Sequence, residues 1–229
     1  MADAKTLEEI AEPEYWDSRY SKKTQDAETF EWFKSFEHIE SFLKKWIPKP
    51  DAEKERKDED GEVVGVEGPR ILHLGCGNSS LPLDLYNRDY HNQICVDFSS
   101  VVISSMSSRY SSLSSINWQV ADVRTLTTSP TNPILPGSID VAIDKGTLDA
   151  MLYGSLWDPP EAVLESTKAY IDEVVRVLKK GGVFVYITYR QPHFMRKFLE
   201  RQGVWDVVVE ELGNEAGAFG YFGFGMRKM

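Results

Sequence analysis

Apolar and polar positions change period several times along the 229 residues, and each change marks an expected element. Between Thr29 and Trp46, the residues Phe30, Phe33, Phe36, Ile39, Phe42 and Trp46 recur at spacings of three and four, the period of one helix face. Thr29 stands where an N-cap would, and Pro48 and Pro50 stop the run. From residue 70 onward, short apolar runs alternate with helical stretches. Strands are predicted near 70–75, 93–97, 116–121, 139–144 and 183–189, and helices near 79–89, 99–110, 161–179 and 192–202. Residues 204–212 and 219–228 are strand-like on both sides of a short Gly/Asn segment, which predicts an antiparallel hairpin.

Alternating β and α argues for a parallel sheet covered on both faces. The expected fold class is α/β: a Rossmann-like, seven-stranded, mostly parallel sheet with helices on both faces and a C-terminal antiparallel hairpin. Residues 1–12 read as a flexible tail, and 13–229 as a single domain. The aromatic stretch EYWDSRY, 14–20, is expected to be ordered. Residues 51–68, DAEKERKDEDGEVVGVEG, are nearly all charge and glycine and read as a solvated, disordered loop. The serine-rich run after Asp97 reads as a polar-faced helix with Val101, Val102, Met106 and Tyr110 turned inward.

Composition narrows the field of partners. The formal net charge of −10 disfavours nucleic acid, whose phosphates need clustered Lys and Arg, and suits a basic protein surface. Cys76 and Cys95 fit no CxxC or His/Cys metal spacing and read as buried, reduced thiols, so no metal is expected. The first residues carry no apolar signal core, and no apolar run approaches the ~20 residues of a membrane span. A cytoplasmic monomer with no membrane contact is the expectation.

The candidate chemistry begins at RILHLGCGNSS. A turn built on Gly75 and Gly77 after the first strand brings bare backbone to a ligand and aims a helix N-terminus at it. The dinucleotide pattern GxGxxG lacks its third glycine, because Ser80 stands there, and no P-loop lysine follows. Three acids then fall at predicted strand ends, where open α/β sheets bind ligands: Asp97, Asp122 and Asp144. Asp97, 22 residues after Gly75, can accept both hydroxyls of a ribose. Asp122 can accept an adenine amino group while the Val123 N–H reaches the ring. An adenosine ligand with a zwitterionic rather than a diphosphate tail fits this set, and S-adenosylmethionine is such a ligand.

The motifs EYWDSRY, EWF, ILHLGCGNSSL, VDFSSVVISSM, ADVR, DKGTLDAM and PHF together resemble the class I S-adenosylmethionine-dependent methyltransferases. More narrowly, they resemble the eukaryotic lysine methyltransferases of translation elongation factor 1-alpha, in the branch fused in some transcripts to endothelin-converting enzyme 2. The resemblance runs from about Glu14 to Phe194; the 51–68 insert, the serine-rich helix and the short C-terminus depart from that branch. It implies that Trp16 and Tyr20 cover the methionine end of the cofactor and that Trp32 helps to close the pocket. Gly75 would contact the cofactor, Asp97 and Phe98 the ribose and adenine, and Asp122 and Val123 the adenine edge. Asp144 would lie near the methionine amino group or the entering substrate.

The implied reaction is methyl transfer to a protein lysine of elongation factor 1-alpha, with S-adenosylhomocysteine as product. Such a transfer needs alignment, a water-poor site and a neutral amine, against a free lysine pKa of ~10.4. Asp144 and Asp149 are candidates to orient the amine, and Tyr189 to line the acceptor channel. His73, inside a strand, reads as a satisfied core imidazole, whereas His193 at the same rim is within reach of substrate. A small-molecule methyltransferase and a non-catalytic cofactor-binding partner are the alternative readings.

Overall fold

The computed structural model describes residues 7–23, 29–57, 60–126, 133–213 and 220–229. The first six residues of the expected tail and most of the Gly/Asn segment between the last two strands lie outside these. A seven-stranded sheet forms the centre. Its parallel strands are β3 (Ile71–Leu74), β4 (Gln93–Asp97), β5 (Ile116–Val120), β6 (Ile139–Lys145) and β7 (Leu178–Thr188), and the hairpin strands are β8 (Val207–Leu212) and β9 (Tyr221–Arg227). The order is β5-β4-β3-β6-β7-β9-β8, with β9 antiparallel to both neighbours. The chain therefore winds outward from β3 to β5, then crosses back so that β3 also pairs β6 in parallel. That reversal opens a crevice beyond the carboxyl ends of β3 and β6, where ligands of open α/β sheets bind.

Both faces are covered because the central strands are apolar on both sides. Leu72, Leu74, Phe184 and Tyr186 pack against α7 (Glu161–Val177) and α8 (Pro192–Leu199) through Tyr170, Ile171, Val174 and Phe198. On the opposite face, Ile71, Val141, Ile143 and Val185 meet α3 (Phe36–Trp46) and α4 (Leu81–Tyr86). Farther along that face, α5 (Ser100–Arg109) buries Val102, Ile103 and Met106 with Cys95 and with Tyr20 of α2 (Pro13–Lys23). Val101 and Tyr110 pack at the margin of this cluster, and Ser99 caps α5 by accepting the Val102 N–H. Close approach of α3 to the sheet needs a glycine in β9: a Cβ on Gly225 would stand 2.0 Å from the Trp46 indole.

Three expectations change. The helix foreseen from Thr29 starts only at Phe36, with Ser35 at the N-cap position, because Phe33 takes a left-handed backbone (φ 67°) that no α-helix continues. Residues 29–35 instead form a strap. The 51–68 segment, foreseen as a disordered loop, forms a two-stranded antiparallel ladder of β1 (Asp51–Lys57) and β2 (Val63–Glu67), which pair with each other and not with the main sheet. Residues 7–12, foreseen as part of the tail, include a helical turn, α1 (Leu7–Ile10), and Leu7, Ile10, Ala11 and Glu12 line the main cleft. A further short helix, α6 (Thr147–Met151), had no distinct expectation. Among the described residues, no helix is long and apolar enough to cross a membrane.

Candidate active site

The crevice at the reversal holds a cavity of about 620 Å³, within the range of small-molecule and cofactor sites. Its floor is the turn after β3. Gly75 and Gly77 both have positive φ, 64° and 52°, which favours glycine. A Cβ would also not fit: on Gly75 it would lie 2.1 Å from Thr147 Oγ1, and on Gly77 2.8 Å from the Tyr20 hydroxyl oxygen. The turn is thus clamped between α6 and α2 while its backbone faces the cleft. Thr147 Oγ1 completes the clamp by donating to the Leu74 carbonyl at 2.7 Å.

Asp97 ends β4 against this turn. The Gly77 N–H donates to Oδ2 at 2.9 Å and the Ser99 N–H to Oδ1 at 3.0 Å. Burial pushes its pKa up to about 6; the two backbone donors oppose that rise, and neighbouring Asp17 adds to it. Each oxygen keeps an unused lone-pair direction for a ligand hydroxyl. Phe98 and buried Val123 line the same wall. Asp122 lies beside them, gripped by Arg124 through Nε at 2.9 Å and Nη2 at 2.6 Å. Burial would raise the Asp122 pKa, but the guanidinium and the Arg124 N–H more than offset it and hold the carboxyl below its ordinary value.

Aromatic rings roof the cleft. Trp16 lies 5.8 Å from Tyr20 and 5.7 Å from Trp32, whose ring meets Phe30 at 5.2 Å. The Arg19 guanidinium sits 4.9 Å from the Trp32 ring. Two polar ties fasten this roof. Trp16 Nε1 donates to the Ile10 carbonyl at 2.7 Å, and Ser99 Oγ donates to Asp17 of α2 at 2.6 Å. The strap is anchored by Glu31, which accepts from Ser79 Oγ and the Ser80 N–H and pairs with Lys145 Nζ at 2.7 Å. Lys145 also donates to the Trp32 carbonyl at 2.8 Å. Burial lowers the Lys145 pKa, and Glu31 opposes that shift.

Most of the foreseen site residues meet here: Trp16, Tyr20, Trp32, Gly75, Gly77, Asp97, Phe98, Asp122, Val123, Asp149 and Tyr189 all line the one cleft. Asp144 does not. It is fully buried below the wall, accepting from the Thr147 N–H at 2.7 Å, the Leu148 N–H at 2.9 Å and the Tyr170 hydroxyl at 2.8 Å. It caps α6, and burial raises its pKa to about 7. Asp149 reaches the cleft from α6 and accepts from Tyr186 at 2.7 Å and Thr188 at 2.6 Å, with Arg190 Nε 3.2 Å away. Burial raises its pKa too, against those donors. His73 is a satisfied core imidazole, 2.6 Å from Gln93 Oε1 and lowered to about 4 by burial. His193 stacks near Trp157 and Phe194 and is not among the lining residues. Both cysteines are buried and unpaired. Among the described residues, no cluster of His, Cys, Asp or Glu could hold a metal.

Sequence reasoning missed Glu31, Lys145, Thr147, Arg190 and Tyr221. Glu31 and Lys145 lie inside the motifs EWF and DKGTLDAM, which were a usable signal; Tyr221, at the start of a terminal strand, carried none.

A family model described as a methyltransferase domain matches residues 66–215. The chain belongs to the class I S-adenosylmethionine-dependent methyltransferases. EEF1A lysine methyltransferase 4 of Mus musculus is 35% identical over 197 residues, covering 85% of this chain and 68% of that protein. Its Bos taurus counterpart is 32% identical over 206 residues, covering 89% and 71%. Among solved structures, the N-methyltransferase NodS from Bradyrhizobium japonicum WM9 in complex with S-adenosyl-L-homocysteine superposes with a TM-score of 0.51. It is 16% identical and covers 69% of this chain and 76% of that one, a likeness of fold. The methyltransferase uses S-adenosylmethionine and releases S-adenosylhomocysteine. Its cleft fits that cofactor: the Cβ-free turn admits close approach, Asp97 offers lone pairs for a diol, and the roof is aromatic.

Proposed function

We propose that this methyltransferase methylates a lysine side chain of translation elongation factor 1-alpha, as a cytoplasmic monomer acting on protein and not on nucleic acid. The observation that carries the acceptor is the pair of relatives named for this reaction, which match 85% and 89% of the chain, well beyond the cofactor-binding core. The net charge of −10 suits a basic protein acceptor and opposes phosphate binding.

In this reading, Gly75 and Gly77 lay backbone along the cofactor, and Trp16, Tyr20 and Trp32 cover its methionine end. Asp97 accepts the ribose hydroxyls with Phe98 beside the adenine, while Asp122 and Val123 hold the adenine edge. Asp144 acts at one remove, by fixing α6. The bound cofactor supplies a methyl on a sulfonium, activated for in-line displacement in which sulfur keeps the bonding electron pair. The acceptor amine must offer its own lone pair, so its ammonium gives up a proton to solvent before attack, and the methylated product leaves as a secondary ammonium. Tyr189 lines the acceptor channel, and deeper in the cleft the roof rings provide a wall of low polarity that favours the neutral amine. Asp149, held rigid by Tyr186, Thr188 and Arg190, lines that end of the cleft and orients the amine by accepting one of its N–H groups.

Tritiated-methyl transfer into purified elongation factor 1-alpha, alongside calorimetric titration with S-adenosylhomocysteine, tests the reading. Cofactor binding with label on a lysine of the factor is expected. Binding with no label in the factor would sink the acceptor assignment.

A further inference from the structure

Three rings from distant parts of the chain meet at the open end of the cleft. Phe33 comes from the strap, Tyr189 follows β7, and Tyr221 begins β9. The Phe33 ring lies 5.3 Å from Tyr189 at 64° and 5.8 Å from Tyr221 at 49°. All three line the cavity, and Tyr189 is 40% exposed, so the trio forms a mouth open to solvent. Phe33 is placed there at a cost, because a bulky residue at φ 67° is strained and persists only where its surroundings over-determine it. Gly146 makes the room: a Cβ there would come 2.9 Å from the Phe33 ring.

One ring of the mouth already binds a cation from a residue that does not itself line the cavity. Lys34, next to Phe33, places its Nζ 5.1 Å from the Tyr221 ring centroid. Among the described residues no carboxylate pairs with that ammonium, so the ring face is what holds it. An aromatic face that attracts one lysine ammonium attracts another. We propose that Phe33, Tyr189 and Tyr221 form the entrance that recognises the acceptor lysine, and that Lys34 is its resident occupant in the free enzyme, displaced when the acceptor enters. The proposal rests on the lysine reading above. It makes Lys34 a built-in competitor: the fraction of molecules with a vacant mouth scales the apparent affinity for any incoming cationic side chain.

Two readouts on the full chain loaded with S-adenosylhomocysteine or S-adenosylmethionine separate the possibilities. The first is the Kd for Nα-acetyl-Nε-trimethyl-lysine amide, a permanently charged probe. The second is the KM for elongation factor 1-alpha. Lys34→Met should tighten the probe and lower KM by about three-fold, the scale of one exposed cation–π contact, with kcat and S-adenosylhomocysteine affinity unchanged. Lys34→Arg keeps the cation and should behave like wild type. Tyr221→Phe should keep the effect of Lys34→Met, whereas Tyr221→Ala should abolish it. Equal probe Kd for wild type and Lys34→Met overturns the proposal, as does no saturable probe binding by either. If the probe shows the Lys34 effect but the factor takes no methyl, the mouth stands and the acceptor assignment falls. If the factor is methylated with no Lys34 effect in either readout, the reverse holds.

Discussion

Asp97 shows how one carboxylate can be both structural and ligand-binding. Its two oxygens take the Gly77 and Ser99 N–H groups, so it sets the shape of the glycine turn before any ligand arrives. Burial lifts its pKa from the ordinary 3.8 to about 6, which leaves it ionised at neutral pH but close to protonation. Replacing Asp97 with Ala removes a charged acceptor and orphans two backbone donors. S-adenosylhomocysteine binding should weaken by about 1.5–3 kcal/mol in calorimetry; an unchanged affinity would show that Asp97 is not at the ribose. The pH dependence follows from the same shift. A diol donates to the ionised form, so affinity should fall as pH drops through about 6, and Asp97→Asn should flatten that step. Asp97 and the two glycines were legible in the sequence because strand-end placement alone aims them at the crevice. Asp144 met the same criterion but lies buried below the wall, since an acid at a strand end caps the next helix as readily as it faces a ligand.

At the scale of elements, α6 is the piece whose stability is least its own. Five residues cannot hold a helix in water without outside support. The support is the Asp144 cap on the Thr147 and Leu148 N–H groups, the Thr147 bond to the Leu74 carbonyl, and buried Leu148. Asp144→Ala should therefore cost about 2–4 kcal/mol in urea unfolding, because two backbone donors and the Tyr170 hydroxyl lose their acceptor together. The conservative Asp144→Asn tests the charge. Burial raises the folded-state pKa to about 7 from an ordinary 3.8, so the folded state binds a proton that the unfolded chain has released. The stabilising contribution is complete below about 3.8 and is lost as pH rises through about 7; Asp144→Asn should lack this decline. A wild-type decline matched by the variant would assign it to another group. The elements themselves were mostly legible, since period-two and period-3.6 runs survive in the sheet and its helices. The strap was not. Its aromatic spacing mimics a helix face, and only the left-handed backbone at Phe33, which no spacing rule reveals, breaks it.

For the molecule as a whole, the question is what the β1–β2 ladder contributes. The two strands pair with each other, and among their residues whose side chains are described none belongs to the three core clusters. Their ion pairs, such as Lys54 with Asp51 at 3.4 Å and Lys57 with Glu55 at 3.9 Å, are exposed, where such pairs add little. The charge run that suggested a solvated loop therefore gave the right surroundings but missed that backbone pairing alone can order it. The ends of the ladder lie together: Pro50 Cβ is 3.4 Å from where a Cβ on Gly68 would stand. Replacing residues 51–67 with a four-residue Gly/Ser linker should thus span the gap without strain. If 13–229 is one domain whose core does not depend on the ladder, the variant should unfold in a single transition within about 1 kcal/mol of wild type, as surface changes usually do. S-adenosylhomocysteine affinity should also be unchanged, since no described residue of 51–67 lines the cofactor cleft. A larger loss of stability would show that the ladder is part of the folding unit. Intact stability and cofactor affinity with a raised KM for elongation factor 1-alpha would instead place the ladder against the acceptor, as a charged arm outside the catalytic cleft.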